Sequence, residues 1–252
     1  MLRASQWRLT KQISSLMQPT FITTADGSHS LYVKELDEHY HSIHGAIQEA
    51  QHVFIKTGIH HLINKGYKTI SILEIGFGTG LNTLLTCLEA EKLNITIYYT
   101  TLEAFPLTSD ITNNLNYVEL ISKIENKSEN ETTQLFQKIH AADWEKQVTI
   151  SNQFYLTKIK NTLQEIEFQS TFDLIFFDAF GPRVQPEMWV EEVFSKIYNV
   201  TNEDGYLVTY CAKGEVKRTL KKVGFAVETL PGPPRKREMV RAGKLSPFSG
   251  TT

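Results

Sequence analysis

The pattern of apolar and polar positions divides the chain into two parts. Near the N-terminus, two short strand-like runs, 21–24 and 31–34, flank a turn-forming segment with an Asp-Gly pair and predict a β hairpin. Apolar residues then recur near helical spacing over about 42–64, which predicts a helix. We therefore expect an N-terminal extension, residues 1–66, that packs on a core domain, residues 67–252.

Strand-like and helix-like runs alternate in the core domain. The predicted strands lie at 69–75, 95–102, 153–157, 172–177, 205–211, 225–230 and 237–242. The predicted helices lie at 81–92, in segments up to about 140, and at 158–166, 186–199 and 214–222. This alternation favours a mostly parallel sheet with helices on both faces. The last two strands are separated by too few residues for a crossover helix, so they should pair antiparallel.

Composition constrains the size of the core, the cellular location and the kinds of cysteine site that are possible. With 252 residues, of which 41% are hydrophobic and 21% charged, the chain can bury one full core and a small appendage. No apolar run reaches the roughly 18 residues that span a bilayer, and no signal peptide is apparent, so we expect a cytoplasmic protein with no membrane partner. Cys87 and Cys211 lack a nearby thiol or a zinc-spaced His pair, which argues against disulfides and metal sites.

Charge is distributed unevenly along the chain. The net charge is −2, but residues 213–252 hold ten Lys or Arg and three Asp or Glu, which gives this tail a charge of about +7 and the remainder about −9. Two interpretations stay open. The tail is either a solvated helix face followed by a charged strand, or a local phosphate-binding surface.

A glycine-rich turn follows the first strand of the core domain. Gly76, Gly78 and Gly80 occupy every second position before a predicted helix, and Glu74 precedes them. Glycine tolerates positive φ and has no Cβ, so an adenosine-bearing cofactor can lie against the backbone. The dinucleotide fingerprint requires a further glycine where this chain has Leu81, so the spacing favours S-adenosyl-L-methionine (SAM) over NAD. A turn that binds no ligand is the alternative.

Two acidic residues end strands at the same predicted edge of the sheet. Glu103 follows Gly80 by 23 residues, where a carboxylate can accept hydrogen bonds from both ribose hydroxyls of a cofactor. Asp178 ends the apolar run 172–177, where a carboxylate can orient a protonated amine and accept its proton. The alternatives are a solvated strand end for Glu103 and a turn cap for Asp178.

Histidines are dense at the junction between the predicted loop and the first predicted helix. His39, His41 and His44 lack the i,i+4 pair of a helical zinc site, so no metal is predicted. We expect instead a lid or cofactor-flanking role for Tyr40, His41 and Glu49.

Several motifs between about residues 21 and 242 occur in combination. They are Tyr40-His41-Ser42 with Gly45-Ala46 and Glu49, His52-Val53-Phe54, Gly76-Phe77-Gly78-Thr79-Gly80-Leu81-Asn82, Glu103-Ala104-Phe105-Pro106-Leu107, Asp178-Ala179-Phe180-Gly181-Pro182 with Pro186-Glu187-Met188-Trp189, and Arg235-Lys236-Arg237-Glu238-Met239. In this combination the chain resembles the tRNA 5-aminomethyl-2-thiouridine methyltransferases. That family forms the methyltransferase half of the bifunctional MnmC protein and also occurs as a standalone enzyme.

The resemblance implies a fold, a reaction and a site. The fold is α/β, the Rossmann-like seven-stranded sheet of class I SAM-dependent methyltransferases with the last strand antiparallel, which agrees with the strand pattern. The implied reaction is SAM-dependent N-methylation of the 5-aminomethyl group of (2-thio)uridine at the wobble position of tRNA. The implied cofactor-binding residues are Glu74, Gly76, Gly78, Gly80, Asn82, Glu103 and Asp178, and Asp178 is also the implied catalytic residue. The implied substrate-binding residues are Tyr40, His41, Phe180, Pro182, Arg235, Lys236 and Arg237, of which the last three border the RNA entrance.

The chain departs from the family pattern at two points. The bifunctional protein continues into a flavin-dependent oxidoreductase domain, so we expect no such activity from a chain that ends at Thr252. Thr157-Lys158 stands where many members carry Gly-Asp, so the adenine contact is expected from elsewhere, with Asp143 or a backbone group as candidates.

Two other functions stay open. An aminopropyltransferase of the spermidine-synthase type shares the sheet, the glycine turn and the acidic strand end, but the basic tail would repel its polycationic substrate. The second is a non-catalytic RNA-binding protein of the same fold, against which the intact Glu103 and Asp178 argue.

Overall fold

The computed structural model describes residues 19–246, so the outer ends of the two predicted domains lie outside the described residues. The N-terminal part forms a three-stranded antiparallel sheet of β1 (Thr20–Thr23), β2 (His29–Val33) and β3 (Glu38–His39). Asp26 closes the turn after β1, because its Oδ1 accepts hydrogen bonds from the Ser28 backbone N–H at 3.0 Å and the Thr24 hydroxyl at 2.8 Å. The predicted hairpin is confirmed.

The first helix, α1, spans residues 46–64 and has a π-helical middle. It consists of an α-helical part (Ala46–Ala50), a π-helical part (Gln51–Ile59) and a second α-helical part (His60–Asn64). A Cβ on Gly58 would lie 3.2 Å from the side chains of Leu174 and Phe176, so glycine allows close packing of α1 on the large sheet. The predicted helix is present, but it begins after Gly45, whose φ of 142° is not helical.

Within residues 19–246, the large sheet has eight strands. In chain order they are β4 (Thr69–Ile75), β5 (Thr96–Leu102), β6 (Gln147–Ser151), β7 (Phe154–Ile159), β8 (Phe172–Phe177), β9 (Thr201–Thr209), β10 (Ala226–Pro231) and β11 (Glu238–Gly243). Across the sheet the order is β10-β11-β9-β8-β4-β5-β7-β6. The last strand, β11, runs antiparallel to both β9 and β10, as predicted. All seven predicted strands are present. The eighth, β6, is an antiparallel edge strand in which only Ile150 is buried, so its sequence carries little strand signal.

Helices cover both faces of the large sheet. After α1 they are α2 (Leu81–Leu93), α3 (Ser109–Thr112), α4 (Tyr117–Glu125), α5 (Glu129–Ala141), α6 (Glu191–Val200) and α7 (Gly214–Lys222). One core layer joins one face of the sheet to α1, α2, α4 and α5, and a second joins the other face to α6 and α7. The predicted α/β fold class is confirmed. No helix within residues 19–246 is long and apolar enough to cross a membrane.

The helix predicted at 158–166 is wrong. β7 continues to Ile159, and the residues that follow form loops and turns. Phe154, Leu156 and Lys158 are buried at the two-residue period of a strand. Lys158 is only 1% exposed, and its Nζ lies 4.8 Å from the centre of the Trp144 ring. The predicted strand ends at residue 157, too early, because the lysine at the next buried position interrupts the apolar pattern.

One further helix boundary differs from the prediction. The helix predicted at 186–199 is divided into a 3-10 turn (Pro186–Met188) and α6. The side chains of α1 belong to the same hydrophobic core as β4 and β8, so α1 packs directly on the large sheet. The division of the chain into an extension, 1–66, and a core domain, 67–252, stays a proposal.

Candidate active site

A cavity of about 1660 Å³ lies at the carboxyl ends of β4, β5, β7 and β8. Its walls also include residues 38–44, which lead into α1, the loop after β8, and Lys236 before β11. β4 pairs with β5 on one side and with β8 on the other, so the strand order changes direction at this point. Ligands of open α/β sheets bind at such a switch point.

The glycine turn adopts backbone angles that favour glycine. Gly76, Gly78 and Gly80 have φ values of 98°, 50° and 74°. A Cβ on Gly76 would lie 2.8 Å from the backbone oxygen of Asp178, and one on Gly78 would lie 3.3 Å from the Tyr40 ring. Gly76 and Gly78 line the cavity, whereas Gly80 is the N-cap of α2 and does not. At Gly76 and Gly78 the turn therefore brings backbone without a side chain to the cavity wall.

Glu103 is fixed at the end of β5 by the glycine turn itself. Its Oε2 accepts a hydrogen bond from the backbone N–H of Gly78 at 3.0 Å, and its Oε1 accepts one from the backbone N–H of Phe105 at 2.8 Å. Burial raises the pKa of this carboxyl, and these backbone N–H groups oppose the increase. A carboxylate has about four acceptor positions, so Glu103 retains capacity for hydroxyl groups of a ligand in the cavity.

Asp178 follows β8 directly and lines the same cavity as Glu103. Its Oδ2 accepts a hydrogen bond from Asn82 Nδ2 at 2.8 Å, and Asn82 belongs to the first turn of α2. Burial raises the pKa of Asp178 to about 7, and Glu49 raises it further, while Asn82 and Lys236 oppose the increase. A carboxyl with this pKa can exchange a proton near neutral pH.

Glu74 is fully buried and does not line the cavity. Its Oε2 accepts hydrogen bonds from the hydroxyls of Thr101 at 2.7 Å and Thr83 at 3.3 Å. Burial raises the pKa of Glu74 to about 8. The structure therefore places this residue behind the glycine turn, where it ties β4 to β5 and α2.

Aromatic side chains from the 38–44 segment and from the loop after β8 form one side of the cavity. The rings of Tyr40 and Phe180 meet edge to face, with centroids 5.2 Å apart, and both residues line the cavity. His41 also lines it, and its pKa is lowered to about 4 because burial disfavours the imidazolium. Pro182, by contrast, is not part of the lining.

The Arg235-Lys236-Arg237 stretch has two exposed residues and one that points inward. Arg235 and Arg237 are exposed, whereas Lys236 lines the cavity and forms an ion pair with Glu49 of α1. The Nζ of Lys236 lies 4.6 Å from the centre of the Tyr210 ring. Tyr210 is not among the residues predicted from the sequence, although its position directly after β9 puts it at the same edge of the sheet.

The alternative adenine contact at Asp143 is not supported. The Asp143 side chain is 73% exposed, lies near Lys146 and does not line the cavity. Lys158 is buried and also lies outside the lining. Because β7 ends at Ile159, it is residues 160–165 that line the cavity at this strand end. These residues were missed because the sequence predicted a helix there.

Three observations indicate that the cavity can hold SAM. Backbone without Cβ atoms is exposed to it at Gly76 and Gly78, and Glu103 offers acceptor positions at a strand end. The buried Asn82 Oδ1 has no hydrogen-bond partner within residues 19–246, so it can accept one from the ammonium group of a ligand. In the same part of the chain, no group of three or more His, Cys, Asp or Glu side chains has the arrangement of a metal site.

Comparisons with known proteins agree with this geometry. A family model described as S-adenosyl-L-methionine-dependent methyltransferase matches residues 119–245, about half of the chain. The tRNA 5-methylaminomethyl-2-thiouridine biosynthesis bifunctional protein MnmC of Hydrogenovibrio crunogenus is 31% identical over 229 residues, which is 84% of this chain and 32% of that protein. The chain thus spans about a third of the length of this relative.

Solved structures show the same fold. The crystal structure of MNMC2 from Aquifex aeolicus matches with a TM-score of 0.72 and 26% identity, over 91% of this chain and 71% of that chain. Spermidine synthase from Thermotoga maritima matches with a TM-score of 0.53 at 14% identity, over 92% of this chain and 71% of that chain, a likeness in fold alone. The chain belongs to the S-adenosyl-L-methionine-dependent methyltransferase family, and its resemblance to the MnmC methyltransferase domain is confirmed.

Proposed function

We propose that this methyltransferase methylates the primary amine of 5-aminomethyl-(2-thio)uridine at the wobble position of tRNA. The observation that carries the proposal is the position of Asp178, a carboxylate with a pKa of about 7 in the same cavity as the glycine turn and Glu103. The names of the MnmC relatives support the choice of a tRNA amine. Because the chain spans only a third of those proteins, their oxidoreductase activity is not part of the proposal.

The cofactor site is proposed to consist of Gly76, Gly78, Asn82, Glu103 and Asp178. Bound SAM supplies a methyl group on a sulfonium, which is already a good leaving group. Glu103 would accept hydrogen bonds from the ribose hydroxyls, and the two glycines would let the ligand approach the backbone. Glu74 and Gly80 would act without direct contact, by holding the turn against α2 and β5.

Asp178 is proposed to prepare the amine for methylation. A primary alkyl amine is protonated at neutral pH, and its lone pair is then unavailable. Ionised Asp178 would hold the ammonium by a charge-assisted hydrogen bond and accept one of its protons. Asn82 fixes the carboxylate through its 2.8 Å hydrogen bond. Reaction then depends mainly on positioning, because the cavity brings the two reactants together.

The tRNA is proposed to approach across the 38–44 segment and the Arg235–Arg237 turn. The exposed guanidinium groups of Arg235 and Arg237 suit phosphate contacts on either side of an extruded base. Tyr40, His41 and Phe180 would border the base, with the edge-to-face pair of Tyr40 and Phe180 as the wall against which it packs. Pro182 lies outside the cavity lining and is not part of this proposal. A tRNA substrate would also imply a cytoplasmic location.

The proposal is tested by incubation of the protein with labelled SAM and tRNA from a strain that lacks this enzyme, followed by nucleoside analysis. We expect label in 5-methylaminomethyl-(2-thio)uridine and in no other nucleoside. The same protein is offered decarboxylated SAM with putrescine, which tests the aminopropyltransferase alternative. Spermidine formation without nucleoside labelling would overturn the proposal, and absence of SAM binding in calorimetry would favour a non-catalytic RNA-binding protein.

A further inference from the structure

Lys236 occupies a site that is built for an ammonium group. Its Nζ pairs with Glu49 Oε1 and lies over the Tyr210 ring, 4.6 Å from the ring centre. The Glu49 side chain is 11% exposed, and its other oxygen accepts a hydrogen bond from the Ser42 backbone N–H at 3.0 Å. The Tyr210 hydroxyl donates to the backbone oxygen of Ala179 at 2.9 Å. Carboxylate and ring are therefore both fixed independently of the lysine.

This site adjoins the proposed catalytic carboxylate. Glu49, Tyr210, Lys236 and Asp178 all line the same cavity. Glu49 and Lys236 both act on the ionisation of Asp178, in opposite directions, so their charges are close to it. An amine that reached Asp178 would therefore meet the Glu49 carboxylate and the Tyr210 ring, the two groups that now hold the lysine.

We propose that Lys236 is a built-in occupant of a primary-ammonium site formed by Glu49 and Tyr210, and that it leaves this site when the RNA substrate binds. The inference rests on the proposed function and deepens it. The end of a lysine side chain and an aminomethyl group are both primary alkylammonium ions, so they compete for the same carboxylate and ring face. Two such cations cannot share one carboxylate without repulsion.

RNA supplies a new partner for the displaced lysine. Lys236 lies between the exposed Arg235 and Arg237, where phosphate groups of the RNA are proposed to bind. When the RNA binds, Lys236 leaves Glu49 and pairs with a phosphate, and Glu49 pairs with the substrate ammonium in place of Lys236. The number of ion pairs inside the cavity is unchanged. A small amine without phosphate groups must displace Lys236 without this compensation, so the site discriminates against free nucleosides and polyamines.

The test compares two probes, the nucleoside 5-aminomethyluridine and an anticodon stem-loop RNA that carries it, by calorimetric binding to the full chain. We expect Lys236→Met to lower the Kd of the nucleoside by about tenfold, because the competitor is removed while the aliphatic stem remains. The Kd of the stem-loop should not fall, because the same change removes a phosphate contact. Lys236→Arg keeps the cation and should leave the nucleoside Kd within about threefold of the original value.

Glu49→Gln should weaken the nucleoside in both backgrounds, including the Lys236→Met protein. The affinity of the Glu49→Gln protein for SAM shows whether this variant is folded. If it is not folded, the Tyr210→Leu variant is used in its place. Weaker nucleoside binding by Lys236→Met, or an unchanged Kd in Glu49→Gln, would overturn the inference. Methylation of the stem-loop by the unaltered protein is measured in parallel. If the unaltered protein does not methylate the stem-loop, the proposed function itself is rejected. If it does, but the variants bind the nucleoside with unchanged Kd, only the role of Lys236 is rejected.

Discussion

Asn82 donates a hydrogen bond from Nδ2 to Asp178 Oδ2 at 2.8 Å, and this contact joins the first turn of α2 to the end of β8. It links the element that follows the glycine turn with the carboxylate proposed to receive the amine. Orientation of Asp178 is thus coupled to the same helix that closes the cofactor side of the cavity.

Asp178→Asn is expected to reduce methyl transfer by at least about a thousandfold, because an amide cannot accept the proton of the substrate ammonium. SAM affinity should stay within about tenfold, since the change preserves size and most hydrogen bonds. Single-turnover methylation of the stem-loop and calorimetry with SAM measure the two quantities separately.

Glu103→Gln is the matched comparison for this variant. It alters a carboxylate at the neighbouring strand end, and its main effect should be weaker SAM binding. Near-normal turnover by Asp178→Asn would reject the role of Asp178, and SAM binding that survives in Glu103→Gln would remove Glu103 from the cofactor site.

Methyl transfer is expected to increase with pH through an apparent pKa of about 7, because it is the ionised form of Asp178 that is proposed to hold the ammonium and accept its proton. Asn82 favours the ionised carboxylate, so Asn82→Ala should move this inflection to higher pH by about one unit. The measurement is kcat/KM for the stem-loop from pH 5.5 to about 9.

Asn202→Ala provides the control for Asn82→Ala. Asn202 donates to Asp173 Oδ1 at 2.7 Å, the same pair of chemical groups, but neither residue lines the cavity. Its pH profile should match that of the unaltered protein. A profile for Asn82→Ala that coincides with the control would show that the 2.8 Å contact does not set the ionisation of Asp178.

Joint replacement of Arg235 and Arg237 by Ala is expected to weaken tRNA binding and to flatten its salt dependence. Each lost phosphate contact should reduce the slope of log K against log salt by about 0.7–0.9, so the pair should reduce it by about 1–2. Lys123 and Lys146 are also exposed cations but lie outside the cavity lining, and their double Ala variant is the control. An equal slope in the two variants would place the arginines outside the RNA interface.

The sequence predicts those parts of the site that depend on strand ends. Glu103 and Asp178 each follow an apolar strand directly, so the parallel sheet alone brings them to one edge. The Glu49–Lys236 pair could not be predicted, because its members are 187 residues apart and meet only through the packing of α1 near β11. At Lys158 the sequence led to a wrong prediction, because a charged residue is not expected at a buried strand position. Burial of this lysine is possible because its Nζ contacts the Trp144 ring and donates a hydrogen bond to the His140 carbonyl.

Glu74 allows a prediction about stability rather than activity. Burial raises its pKa in the folded protein to about 8, whereas an exposed Glu in the unfolded chain has its ordinary value near 4.5. Between these values the folded state holds a proton that the unfolded state lacks. The contribution to stability is therefore fully present below about pH 4.5 and is lost as the pH increases through about 8, at up to about 1.4 kcal/mol per pH unit.

Glu74→Gln should remove this loss, because glutamine cannot ionise and retains an acceptor for the hydroxyls of Thr101 and Thr83. Between pH 6 and pH 8, urea unfolding should show a decrease in the free energy of unfolding that is smaller in the variant than in the unaltered protein by up to about 2–3 kcal/mol, while the contribution of Asp178 remains in both. Glu131→Gln, at an exposed position of α5, removes a carboxylate without burial and should retain the decrease. Parallel pH dependence in all three proteins would mean that Glu74 is ionised in the folded state.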